Sequence, residues 1–104
     1  WVEDVVRGIK LAGDLDSGID GSNLTGKAFN LGSTIETSIL ELVDMCLNVS
    51  GSEIEPIFVA SNPGDAVRRL PEISASEEAL GWKAEVTLKD GIERTWAWLK
   101  NQSI

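Results

Sequence analysis

The chain has no histidine, no tyrosine and a single cysteine, Cys46, in 104 residues. Without histidine there are no Ser/His or Cys/His nucleophilic pairs, no imidazole general base and no imidazole metal ligand. One thiol closes no internal disulfide and builds no zinc site. Cations are scarce as well. Lys and Arg number 9 against 17 Asp and Glu, for a net charge of −8. That field repels a phosphate backbone and argues against a nucleic-acid partner. No apolar run approaches the roughly 18 residues that a membrane span requires. An initiator methionine is also missing: the chain opens Trp1-Val2-Glu3-Asp4 and reads as the middle of something larger.

What remains is an ordinary globular composition, 42% hydrophobic and 25% charged, sized for one small domain with a thin core. Residues 4–15 repeat Val5, Val6, Ile9 and Ala12 at helical spacing, with Asp4 as the expected N-cap. A polar loop follows over residues 14–26. Residues 27–31 and 55–60 are short and apolar, carrying Phe29 and Leu31, then Ile57, Phe58 and Val59, and are predicted as strands. Residues 38–50 form the clearest helix. Ser38 and Glu41 make a capping box, Gly51 a C-cap, and Ile39, Leu42, Val43, Cys46 and Leu47 one apolar face expected to be buried. Ser74 and Glu77 offer a second capping box on a helix ended by Gly81. A last helix from about Thr87 carries Leu88, Ile92, Thr95, Trp96 and Leu99 on one face, leaves Trp98 partly exposed, and frays after Lys100.

Few side chains suggest chemistry. Asp14, Asp16, Asp20 and Asn23 resemble a calcium loop, but counting from Asp16 puts Lys27 where a bidentate Glu belongs. Asn23-Leu24-Thr25, Asn48-Val49-Ser50 and Asn101-Gln102-Ser103 match the glycosylation acceptor, a motif common by chance. Glu3 and Asp4 are adjacent carboxylates that read as a helix start rather than a general base. Arg68 and Arg69, the only tandem arginines, follow the Asn62-Pro63-Gly64-Asp65 turn. They suit an anion grip or, equally, a surface pair that balances local acid.

Five segments then fall in order: Val2-Glu3-Asp4-Val5-Val6; Phe29-Asn30-Leu31-Gly32-Ser33; Asn62-Pro63-Gly64-Asp65 with Arg68; Leu80-Gly81-Trp82; and Gly91 with Thr95-Trp96. Over nearly its whole length the chain resembles the carboxyl-terminal part of an extended short-chain dehydrogenase/reductase, among the NAD-dependent nucleotide-sugar epimerases and dehydratases. The resemblance implies an α/β fold with about four helices and two or three short strands. Residues 1–33 would be late elements of a Rossmann domain and residues 34–104 the substrate-binding lobe. It implies a cytoplasmic parent enzyme that uses NAD or NADP and a nucleotide sugar, and works through a 4-keto intermediate as an epimerase or a 4,6-dehydratase. The family's glycine-rich loop and catalytic Tyr-x-x-x-Lys lie upstream of these residues, so the fragment itself is expected to hold no catalytic, cofactor-binding or metal-binding residue and to be inactive without the amino-terminal Rossmann domain.

Carried over residue by residue, Asn62 stands where the family's arginine grips the substrate diphosphate, and Asp65 where an acidic residue contacts the nucleoside. Arg68 is the expected replacement cation, with an ion pair to Glu72 as its alternative role. Arg69 falls at a position that lines the sugar pocket in several members. Glu72-Ile73-Ser74-Ala75-Ser76 stands where the family reads D-I-S-K-A, and Thr34 replaces a glycine. The other reading of the chain is a free-standing acidic α/β module that binds another protein.

Overall fold

The computed structural model describes residues 1–102, and their regular structure is entirely helical: α1 (Val2–Asp14), α2 (Ile39–Ser50), α3 (Ser74–Leu80) and α4 (Leu88–Lys100). The expected α/β fold is therefore corrected, because neither residues 27–31 nor residues 55–60 form a strand. The reason is pairing. A strand persists only if a neighbouring strand takes up its N–H and C=O groups in a ladder, and no described segment pairs with either stretch in that way; the Asn30 carbonyl accepts the Ser76 hydroxyl of α3 instead. Phe29 and Leu31 pack from irregular backbone, while Ile57, Phe58 and Val59 stand 78 to 89% exposed.

The chain divides into two compact units. The first joins Trp1–Ile35 to Leu70–Thr87; the second joins Glu36–Arg69 to the chain from Leu88 on.

In the first unit α1 packs on α3. Its core is Ile73, Leu80 and Trp82, with Leu11, Ala12, Leu15, Leu24, Phe29, Leu31 and Ala84 against it. Gly8 lets α1 approach closely, since a Cβ there would stand 2.6 Å from a Leu31 methyl. Asp4 is no N-cap. Trp1 holds that position without a side-chain bond, and Asp4 lies inside the first turn, buried. Its Oδ1 accepts the Glu85 N–H at 3.1 Å and its Oδ2 the Val86 N–H at 3.0 Å, while Arg7 donates to Oδ1 at 3.1 Å. The Asp4 carbonyl accepts the Trp82 indole N–H at 2.7 Å, and the Arg7 guanidinium lies over the Trp82 ring. Burial opposes the Asp4 charge, but the Val86 and Glu85 N–H groups and Arg7 outweigh it and hold the carboxyl below its usual range.

The apolar repeat of α1 is real but points elsewhere. Val2, Val5, Val6 and Ile9 lie exposed along one side, and Leu11, Ala12 and Leu15 face the core. The second capping box is corrected too. Ile73 is the N-cap of α3, and Ser74 bonds the Glu72 carboxylate instead of the helix. Gly81 does end α3, at φ 63°.

In the second unit α2 packs on α4. The Ser38–Glu41 capping box is complete: Ser38 Oγ accepts the Glu41 N–H at 3.2 Å and Glu41 accepts the Ser38 N–H at 2.7 Å. Gly51 closes the helix at φ 68°. The face expected to be core is only half-buried at Leu42, Val43 and Leu47, and Ile39 and Cys46 are exposed. No described residue of this unit is fully buried. Trp98 is 59% exposed, as its position off the apolar stripe predicts.

Two outcomes follow for the fold. Asp4→Asn should cost the first unit about 1.5–3 kcal/mol, the worth of hydrogen bonds to a charged group. Because the folded carboxyl titrates below its unfolded value, its contribution is full above the carboxylate range and is lost as pH falls through the folded pKa. Denaturant melts between pH 7 and pH 2 should show that acid loss in the parent chain and a flatter profile in the variant. Leu80→Ala should cost about 2–5 kcal/mol. Leu42→Ala, at a half-buried site, should cost visibly less in the same melts.

Candidate functional site

All four residues singled out by the resemblance lie on the surface of the second unit, between α2 and the end of that segment. Pro63 and Gly64 form the corner of a turn, which Gly64 allows by taking φ +90°, a conformation costly for any residue with a Cβ. The turn is closed twice by the same pair. The Asp65 N–H donates to the Asn62 carbonyl at 3.2 Å, and Asp65 Oδ2 accepts the Asn62 N–H at 3.2 Å. Asn62 and Asp65 are thus brought together by one backbone bond and one side-chain bond.

Arg68 is held from outside its own segment. Its Nε–H donates to Glu36 Oε1 at 2.6 Å and its Nη2 to Glu36 Oε2 at 2.5 Å, a two-point fork. The side chains remain 72% and 44% exposed. The bond to Glu36 raises the Arg68 pKa further above its usual value, so the guanidinium is charged at every working pH. Glu72 has a different partner: its carboxylate accepts the Ser74 N–H at 2.6 Å and the Ser74 hydroxyl. Arg69 is exposed.

Sequence reading missed Glu36, because 32 residues separate it from Arg68 and no local spacing links them. The acidic loop resolves into separate local bonds. Asp14 pairs with Lys10 at 2.6 Å, Asp20 accepts the Ser22 N–H at 3.0 Å and Asn23 the Thr25 N–H at 2.9 Å. No group of three or more Cys, Asp or Glu among the described residues is disposed to hold a metal ion, and no described helix is long and apolar enough to cross a membrane. The Asn101-Gln102-Ser103 motif ends on Ser103, outside the described residues.

Comparison with known proteins adds the decisive observation. Over 103 residues, 99% of the chain, it is 33% identical to a UDP-glucose 4-epimerase of Mycolicibacterium smegmatis. The chain is a relative of UDP-glucose 4-epimerases. It is also 33% identical over 76% of its length to a UDP-glucose 4-epimerase of Pisum sativum, and 32% identical over 73% to one of Caenorhabditis elegans. It spans only 31%, 23% and 22% of these three epimerase relatives. No family model matches the chain, and no solved structure does. In this epimerase relative Arg68, Arg69 and the Gly64 turn are exposed within one short stretch of chain.

The doubly closed turn has a measurable consequence. Asp65→Ala removes the carboxylate that accepts the Asn62 N–H, and amide exchange at Asn62 should accelerate by about fivefold to tenfold, the equivalent of one ordinary hydrogen bond. Exchange rates elsewhere in the chain should stay as they are.

Proposed function

We propose that the chain is the substrate-binding part of an NAD-dependent nucleotide-sugar epimerase or 4,6-dehydratase that works through a 4-keto sugar, with the catalytic residues in the rest of the parent enzyme. The observation that carries this reading is the match along 99% of the chain to a protein named UDP-glucose 4-epimerase, of which it spans only 31%. In this reading residues 1–33 belong with late Rossmann elements and residues 34–104 with the substrate lobe. The exposed stripe Val2, Val5, Val6 and Ile9 on α1, and the unpaired apolar run Ile57, Phe58 and Val59, support the reading, since in a larger enzyme both would be surfaces for a further domain to cover.

In this reading NAD or NADP belongs to the amino-terminal domain of the parent, where it supplies the redox chemistry. The task left to these residues is to bind and orient. Arg68 carries the charge that meets the substrate diphosphate, Asn62 donates a hydrogen bond beside it, Asp65 accepts from the nucleoside, and Arg69 reaches toward the sugar. A diphosphate approaching a protein of net charge −8 needs such a local concentration of cation.

In the intact parent, Arg68→Ala should raise the KM for UDP-glucose roughly tenfold or more, as expected for loss of one charge-assisted contact, and leave the KM for NAD unchanged. Normal substrate binding together with an earlier melt would assign Arg68 to structure instead. Isothermal titration of the 104-residue chain with NAD should detect no micromolar binding.

A further inference from the structure

We propose that Glu36 is a positioning residue for the substrate diphosphate: it locks the Arg68 guanidinium along its Nε side so that the end of the fork is presented to phosphate. The inference rests on the reading that Arg68 meets that diphosphate. A guanidinium carries five N–H donors in a rigid planar fork. Glu36 takes the Nε–H and one Nη2 N–H, at 2.6 and 2.5 Å. Three donors are left, two on Nη1 and one on Nη2. One Nη1 N–H and the remaining Nη2 N–H lie on the end of the fork, the edge that pairs two-point with phosphate oxygens, and the other Nη1 N–H points back toward Cδ.

The pairing is more specific than surface charge requires. An exposed ion pair contributes little to stability, and Arg68 and Glu36 are 72% and 44% exposed. The two-point geometry nevertheless selects one orientation of a long side chain that would otherwise sample many. A phosphate group binding a free arginine must immobilise it, and that ordering opposes binding. With Glu36 in place part of that ordering precedes the ligand. Glu36 also sits in the segment leading into α2, whose start is held by the Ser38–Glu41 capping box two residues on. The anchor for Arg68 is therefore a stretch of chain tied to a capped helix, whereas Arg68 itself follows a loop without regular structure.

The arginine Nε–H signals of the 104-residue chain, followed by NMR during titration with UDP, test this directly. UDP should shift the Arg68 signal saturably, and inorganic pyrophosphate should compete. Glu36→Gln should weaken UDP binding about three- to tenfold, the size expected when one rotamer-rich side chain must be ordered on binding. Glu36→Asp, which keeps the charge, should restore most of that loss. The melting temperature should barely move in either variant, which separates positioning from a purely structural tether. Undiminished or tighter UDP binding in Glu36→Gln, with binding still dependent on Arg68, overturns the positioning role alone. UDP binding indifferent to Arg68→Ala, or no UDP-dependent shift in the unsubstituted chain, overturns the site reading beneath it.

Discussion

The Asp4 carboxylate is the point on which the first unit turns. It enters the interior within the first turn of α1 and is charged there, because two backbone N–H groups from residues 85 and 86 and the Arg7 guanidinium all point at it. A buried carboxylate without those partners would be too costly to keep ionised. With them it fastens the two ends of the unit, since Val86 lies 82 residues further along the chain. The Trp82 indole, the largest fully buried side chain, bonds the Asp4 carbonyl and brings the residues after α3 against α1. Close approach at Gly8 and burial of Leu80 and Ile73 follow from that docking. The same residue looked like a helix cap in isolation, and capping is a local role that any surface aspartate can fill.

The second unit is organised differently. It has two well-defined helices but no fully buried side chain among its described residues, and its long segment between α2 and the first unit exposes Ile57, Phe58, Val59 and Val67. Hydrophobic stabilisation scales with the apolar area removed from water, so this arrangement leaves most of it unrealised. It also leaves Arg68 and Arg69 exposed, with Arg68 paired to Glu36. Within that segment the Arg68 fork to Glu36, the Asn62–Asp65 turn and the Ser52–Ile54 bond are places where side chains impose order.

Sequence alone determined those features whose physics is local. The limits of α2 were legible because a capping box and a glycine in the left-handed conformation act across three or four residues. Gly81 as the end of α3 and the exposed Trp98 follow from the same short-range logic. The epimerase resemblance was legible too, since it depends on the order of short segments and not on their packing. Tertiary structure decided everything that needs a distant partner. The strands expected over residues 27–31 and 55–60 required neighbours that no described segment supplies, so β-forming residues stayed irregular. The helical repeat of α1 showed a helix but not which side is covered, because its apolar arc is wide and the core chose Leu11, Ala12 and Leu15. Cys46 came out exposed for the same reason: periodicity marks a face, and only a packed neighbour buries it. The partner of Arg68 was invisible in the sequence because Glu72, four residues on, is near in the chain, whereas Glu36 is near in space.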